Sequence, residues 1–383
     1  MTIYISIFAI GVFVFGLYSA VTAVLNWKHA RKIYKETKVV TDGDKVSVII
    51  PARNEENNLP RLLESMTKQD YRNFEVIVID DDSTDNTWNI ISDYMKRDSR
   101  IRGFRTEPGL KLVPNGKMNA LLQAISHATG DYLYCTDADT VHGPSAISYS
   151  YSIMTERNAD LISGIPMEVC DSFFASSAVS TMYYSALFVP HYLEEWHPVK
   201  AFAGAIGQFI MMRRSAYDEC GGYAAIGGEI CDDMSISRVF ARRDKKVLAV
   251  PVADHVACHM YHSGVEGFYG ISRSIYGTIP TTLAALPVIA IVLVLFLHIV
   301  AAPIFTFIPY FWNISPLMLT LQTLGWIMFY FAWFITSRSL NSTVGISMSY
   351  ALGLLMILSM YLYAFIQKRL GHKFIWKDRV IGE

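Results

Sequence analysis

Charge is scarce in this chain. Only 17% of its 383 residues are Asp, Glu, Lys or Arg, and 52% are hydrophobic. A soluble protein of this size carries about a quarter charged residues, so part of the polypeptide belongs in lipid. Neither sign prevails, with 33 Lys+Arg against 34 Asp+Glu, and this removes the basic footprint that a nucleic-acid partner requires. Cysteine is also sparse: Cys135, Cys170, Cys220, Cys231 and Cys258 are odd in number and form no C-x-x-C pair. That excludes a disulfide scaffold and a cysteine-type zinc site, and suits a reducing compartment. The richness in apolar and aromatic residues excludes disorder. No internal repeat is visible.

Long apolar runs account for the missing charge. Ile3 to Trp27 has no charged side chain, about the length that spans a bilayer, and Lys28, His29, Arg31, Lys32 and Lys35 follow it at once. A cleaved signal peptide carries its charges ahead of the apolar run, so this one is expected to stay as an anchor, with the following domain in the cytoplasm. Leu283 to Phe311, broken by Pro287, Pro303 and Pro309, Leu317 to Thr336 and Val344 to Ile366 are three further apolar stretches. Three simple crossings would put the basic tail (Lys368, Arg369, His372, Lys373, Lys377, Arg379) outside, against positive-inside logic, so the Pro-broken stretch is a candidate for doubling back. Ser172 to Leu193 is uncharged as well. Its mixture of Ser, Tyr, Phe and His fits an interfacial or pocket-lining helix better than a span.

Between Lys28 and Pro280 the composition is ordinary and long enough for one α/β domain. Lys45–Pro51, Phe74–Ile79, Ile101–Arg105 and Asp131–Thr136 read as strands; Glu55–Thr67, Thr84–Met95 and Lys117–Ser126 read as helices. Strand–helix alternation predicts right-handed crossovers and a mostly parallel, Rossmann-like sheet. Ligands of such sheets bind at the carboxyl ends of the strands, and polar clusters stand there. They are Pro51-Ala52-Arg53-Asn54-Glu55, Asp80-Asp81-Asp82-Ser83-Thr84-Asp85 and Asp137-Ala138-Asp139, with Asp232-Asp233 further on. Each has a bland counterpart. Asp-Ser-Thr-Asp ahead of a helix is a good N-cap, Asp232-Asp233 can cap the helix after it, and a lone Asp-x-Asp can be a solvated turn. Their order, each behind an apolar run, is the stronger signal. Two carboxylates one residue apart can share a hard divalent cation, and such a cation neutralises a diphosphate leaving group.

The strings PARNEE, VIVIDDDSTDNT, NGKMNALLQAI and GDYLYCTDADT together resemble the nucleotide-sugar half of family-2 glycosyltransferases with the GT-A fold. The later strings GQFIMMRRSAYDECGGY, GGEICDDMSISR and HMYHSGVEGFYGISRS are similar to membrane glycosyltransferases of hopanoid and carotenoid gene clusters, and more distantly to ceramide glucosyltransferases. Gly207, Gln208, Gly221, Gly222, Tyr223, Asp233, Met260, Tyr261, Ser263, Glu266, Gly270 and Ser272 match the pattern, and Asp232 and Arg273 keep its charges; the Asn before Gly-Gln is missing. Asp82 stands where the family usually has Gly.

The resemblance implies an α/β GT-A domain over 28–262, an anchor over 1–27, an interfacial helix over 263–280, a transmembrane region over 281–367 and a basic tail over 368–383. It implies that Pro51, Glu55 and Asp81 hold the uridine of a UDP-sugar, with Arg53 and Asp80 nearby, and that Lys117 lies near the diphosphate or sugar. Asp139 would be the principal ligand of Mg2+ or Mn2+; Asp137 would contact the sugar or ribose and share the metal. Gln208 would line the donor site, and Arg273 would either meet the diphosphate or snorkel at the membrane surface. Asp233 would be the general base of an inverting transfer, with Asp232 raising its pKa. No Q-x-x-R-W polymer clamp is present, which favours one sugar moved to a membrane lipid over an exopolysaccharide synthase. A catalytically inactive nucleotide-sugar-binding membrane protein is the alternative from another class. Tyr183, Tyr184, Phe188 and Trp196 are candidates to flank an acceptor or to fill the core, and His191, His197, His255, His259 and His262 make no zinc motif.

Overall fold

The computed structural model describes residues 2–194, 200, 203–227, 229, 231–278, 315–372, 375–376 and 379–380. The stretch Leu283–Phe311 expected to double back, Trp196, His197 and residues 373–374, 377–378 and 381–383 of the basic tail lie outside the described residues. The chain divides into two compact units. An α/β unit comprises Ala30–Val169, Leu193–Met260 and Lys373–Glu383; a helical unit comprises Met1–His29, Cys170–Tyr192 and Tyr261–His372.

The α/β unit is built on strands β1 (Val46–Ala52), β2 (Phe74–Asp80), β3 (Ile101–Arg105), β4 (Tyr132–Cys135), β6 (Leu161–Ser163), β8 (Ile210–Arg213) and β9 (Val247–Ala249), in the order β3-β2-β1-β4-β8-β6-β9. The first four pair in parallel, β8 runs antiparallel to β4 and β6, and β6 and β9 are parallel. A second sheet sets β10 (Val256–Cys258) between β5 (Thr140–His142) and β7 (Met167–Glu168). The near-continuous apolar runs follow from burial on both faces. Side chains alternate across the sheet, so Val46, Val48, Ile50, Val76 and Val78 join one core with Leu59, Leu62 and Tyr149. Ile49, Ile77, Ile79 and Leu133 join the other with Leu121, Tyr217 and Phe240.

The helices around these cores are α2 (Leu59–Thr67), α3 (Thr87–Arg97), α4 (Gly116–Ser126), α5 (Ala146–Glu156), α8 (Arg214–Cys220) and α9 (Asp232–Arg242). The helices α2 and α3 start later than the sequence suggests. Residues 55–58 and 84–86 are turns and bends, in which the Glu56, Thr84 and Asn86 N–H groups donate across to side chains of the facing loop. Pro51 has no N–H to give, and it lies beyond the last β1–β4 pair, Ile49 with Cys135, where that ladder has ended.

The helical unit holds α1 (Thr2–Glu36, of which residues to His29 belong here), α6 (Phe173–Val179), α7 (Tyr183–Phe188), α10 (Gly264–Thr278), α11 (Pro316–Ser339), α12 (Val344–Met348) and α13 (Tyr350–Arg369). Among the described residues, three helices are long and apolar enough to cross a membrane: Ser6–Glu36, Pro316–Ser339 and Tyr350–Arg369. The stretch from Val344 is interrupted at Ser349, so the third begins at Tyr350. Residues 172–193 break into short pieces, none of spanning length. Gly16 and Gly325 face one another so closely that a Cβ on Gly16 would stand 2.1 Å from the Gly325 carbonyl oxygen. The α1–α11 crossing therefore requires glycine. Tyr183 and Tyr184 pack on buried Trp333, and Phe188 on Phe15 and Phe329. Core packing accounts for these three.

The motif residues at the start of α10 have a structural reading. Ser263 Oγ accepts the Glu266 N–H at 3.2 Å, and Glu266 Oε2 accepts the His262 N–H at 2.9 Å, in the manner of a capping box. A Cβ on Gly270 would strike the Tyr261 ring, 2.1 Å from its hydroxyl.

Candidate active site

The topology gathers the polar clusters along one edge. Parallel pairing aligns Ala52 with Asp80 and Ile49 with Cys135, so the segments after β1, β2 and β4 leave the sheet together. Antiparallel β8 contributes its beginning to that edge, since Ile210 faces both Cys135 and Ser163. Gly207 and Gln208 thus arrive beside Asp137 and Asp139, and the segment from Gly164 to Glu168 departs from the same place.

The first two loops lock together. Asn54 N–H donates to Ser83 Oγ at 3.0 Å, Thr84 N–H to Asn54 Oδ1 at 2.9 Å, and Glu56 N–H to Asp85 Oδ2 at 3.1 Å. Asp85 also accepts from the N–H and hydroxyl of Thr87, so its role is to shape the loop. Arg53 Nη1 donates to the Asp81 and Asp82 carbonyls at 2.6 and 3.1 Å. Asp80, buried, accepts the Ser83 N–H at 3.1 Å and lies 3.6 Å from Arg105. Arg53 and Asp80 hold the loop that presents Asp81. Glu55 Oε2 accepts from Asn58 Nδ2 at 2.9 Å, and the Glu55 carboxylate lies close enough to Asp139 to raise its pKa.

Lys117, in the first turn of α4, sits at the centre. Its Nζ is 2.7 Å from Asp137 Oδ1 and 3.7 Å from Asp232 Oδ2. Burial opposes its charge, but Asp137 and Asp232 outweigh that and hold the ammonium above the usual lysine range. Asn115 caps α4 through Met118 N–H and donates to the Glu229 carbonyl at 2.9 Å, tying this helix to the segment ahead of Asp232. Asp232 and Asp233 open α9, where acids suit the helix dipole, with Cys231 as the cap residue. Asp233 Oδ1 accepts the Met234 N–H at 2.7 Å and its Oδ2 the Gly207 N–H at 3.0 Å. Burial, then Asp232, push the Asp233 carboxyl up to about 6, against the pull of Lys117. A Cβ on Gly207 would stand 3.3 Å from Lys117 Nζ, 3.5 Å from Asp137 Oδ2 and 3.7 Å from Asp233 Oδ2. Those three groups therefore surround one point.

The Asp137–Asp139 turn rests on groups that sequence reading missed. Thr136 Oγ1 donates to the Gln208 carbonyl and Thr140 Oγ1 to the Asp137 carbonyl, both at 2.8 Å. Both hydroxyls also contact His142 Nε2, at 3.1 and 3.0 Å. The network is satisfied when Nε2 carries the proton and Tyr134 donates to Nδ1. Burial keeps His142 neutral, with its pKa lowered to about 3. The only local hint was the Thr flanking each side of Asp-Ala-Asp. The His259 N–H donates to the Asp139 carbonyl at 2.9 Å; His255 contacts Ser145 and His262 contacts Asp171.

Asp139 fits a hard cation. Its Oδ1 is buried without a hydrogen-bond partner, and burial, Asp137 and Glu55 push its carboxyl up to about 7. Such an oxygen accepts a metal or a donor, and an acid raised this way is lowered again by a nearby cation. Among the described residues, no three His, Cys, Asp or Glu side chains form a metal cluster. A hard cation can be held by one or two carboxylates and completed by phosphate oxygens and water. Glu168, also missed in the sequence, has both carboxylate oxygens buried and without hydrogen-bond partners. Burial, then Asp139, push its carboxyl up to about 8. Arg273 is partly exposed on α10, in the helical unit.

A mostly parallel sheet with one reversed strand and acids at its carboxyl edge defines an α/β domain of the GT-A kind. Residues 47–221 match the family model described as glycosyl transferase family 2, and the chain carries a domain of that family. Glycosyltransferase GlyG of Streptococcus pneumoniae serotype 4 is 33% identical over 119 residues, covering 31% of this chain and 38% of that protein. The putative glycosyltransferase EpsE of Bacillus subtilis is 31% identical over 188 residues, covering 49% and 63%. The 4,4'-diaponeurosporenoate glycosyltransferase of Staphylococcus haemolyticus is 29% identical over 231 residues, 58% of each chain. The chain thus spans between 38% and 63% of the length of these relatives.

Proposed function

We propose that this protein moves a single sugar from a UDP-sugar to a membrane lipid with inversion at the anomeric carbon, and that Asp233 is the general base. The observation that carries this reading is the convergence of Asp233, Asp137 and Lys117 on Gly207 at the carboxyl edge of a family 2 glycosyltransferase domain. Asp233 takes the proton of the acceptor hydroxyl as that oxygen bonds to the anomeric carbon. The bond from that carbon to the phosphate oxygen breaks on the opposite face, and its electron pair leaves with UDP. With a pKa of about 6, Asp233 is unprotonated at neutral pH yet basic enough to share a proton in the transition state. Asp137 and Asp232 keep Lys117 charged, and its ammonium can meet the diphosphate. Glu55 and Asp81 hold the uridine, beside Pro51. A divalent Mg2+ or Mn2+, held by Asp139 with Asp137, supplies neutralisation of the leaving diphosphate.

The lipid acceptor and the bilayer as its site are supported by the three long apolar helices and by the relative named for 4,4'-diaponeurosporenoate. The basic residues after Trp27 support a cytoplasmic domain in a multi-pass protein.

UDP release by membranes supplied with UDP-sugar, lipid extract and Mn2+ or Mg2+ tests this. Asp233→Asn is expected to lower turnover at least about 100-fold while UDP still binds. Asp139→Asn is expected to weaken metal-dependent UDP binding itself. The wild-type rate should fall as pH drops below about 6, because the base is then protonated. Full turnover in both variants would refute the assignment.

A further inference from the structure

Four buried oxygens beside Asp139 have no hydrogen-bond partner: Asp139 Oδ1, Glu168 Oε1, Glu168 Oε2 and Gln208 Oε1. They come from three separate elements. Asp139 lies in the turn from β4 to β5. Glu168 ends β7, in register with Cys258 of β10, and Cys258 pairs on its other side with Thr140 of β5. This ladder carries Glu168 to the Asp139 turn, and the two carboxylates act on each other. Gln208, only 1% exposed, reaches the same place from the start of β8. Its Nε2 donates to Cys258 Sγ at 3.1 Å, and its amide lies next to Glu168.

With both carboxyls ionised, as a bound cation would keep them, all four orphaned atoms are acceptors. Two adjacent buried carboxylates are costly without a counter-charge. The nearby cation is engaged elsewhere: Lys117 binds Asp137 at 2.7 Å and Asp232 at 3.7 Å. An all-oxygen set of two carboxylates and an amide suits a hard divalent ion, with phosphate oxygens and water filling the other positions. We propose that Glu168 and Gln208 Oε1 complete, with Asp139, the seat of the divalent cation, to which Asp137 still offers Oδ2 while its Oδ1 holds Lys117. The inference rests on the metal-dependent reading above and adds two residues to it.

The test is Mn2+ binding to the full-length protein in detergent, read by the electron paramagnetic resonance signal of free Mn2+, with and without UDP. Glu168→Gln keeps the shape and removes the charge, and is expected to weaken Mn2+ binding at least about 10-fold. Glu168→Asp should lie between it and wild type. If Glu168 were only a buried acid, removing its charge would relieve Asp139 of repulsion, and Glu168→Gln would bind Mn2+ as tightly as wild type or more so. That result overturns the proposal. Gln208→Leu removes the amide oxygen and should weaken Mn2+ binding at least about 3-fold, which keeps the test available if Glu168→Gln does not fold; wild-type affinity there also counts against it. Asp139→Asn separates the two levels. If it weakens Mn2+ binding and the Glu168 and Gln208 variants do not, only this inference falls. If Asp139→Asn also binds Mn2+ normally, the metal-dependent reading falls with it.

Discussion

Asp82 sits in a left-handed conformation, φ 59°, which explains why glycine is usual at this point of the family's pattern. Asp and Asn tolerate that region better than other residues, and Asn54 in the facing loop does the same at φ 52°. The Asp82 side chain is 83% exposed and stands 3.9 Å from Arg53, so its charge adds little. Asp82→Gly is therefore expected to change stability by less than about 1 kcal/mol and leave turnover intact, since relief of strain offsets the greater freedom of the unfolded chain. Asp82→Val should lower stability by about 1–2 kcal/mol. Thermal unfolding in detergent and UDP release would measure both. The chain thus has one acid more than its site uses. Within Asp80-Asp81-Asp82, Asp80 braces, Asp82 turns, and Asp81 is left as the candidate for donor binding.

At the scale of elements, Glu75 shows how a charge can serve a strand. It lies in β2, yet its Oε1 accepts from Ser47 Oγ, Thr129 N–H and Thr129 Oγ1, all at 2.8 Å, and its Oε2 from Arg102 at 3.0 Å. Burial alone would raise its pKa, but these donors prevail and lower it to about 2. Its folded value lies below its ordinary value of about 4.3. The stabilisation is therefore present above that value and is lost as pH falls toward 2. Glu75→Gln is expected to cost roughly 1–3 kcal/mol at neutral pH, a difference that should shrink as the pH of thermal unfolding experiments approaches 2. The four acceptor contacts join β1, β2, β3 and the segment before β4, so Glu75 secures the register on which the site edge depends. In sequence it looked like one polar residue in an apolar run.

At the scale of the molecule, composition and structure agree that long apolar helices accompany an α/β domain. Charge scarcity had its source in the segments that form α1, α11 and α13, and those helices have the length to cross. If α1 spans with its basic end inward, an impermeant protease should degrade residues 30–169 in inverted vesicles and spare them in right-side-out ones. Immunoblotting of the fragments would check this, and protection in inverted vesicles would reverse the orientation.

The sequence by itself determined where three long apolar helices, the first four strands and the acid-bearing turns lie, to within a few residues at their ends. Hydrophobic run length and the polar residues that end a strand are local properties, and local properties survive in one dimension. Only the tertiary structure decided which acids meet. Gly207 reaches Asp137, Lys117 and Asp233 because β8 runs antiparallel, and Glu168 reaches Asp139 through a ladder of short strands. Pairing direction and register depend on contacts between distant segments, and nothing in the pattern around Glu168 marks those contacts.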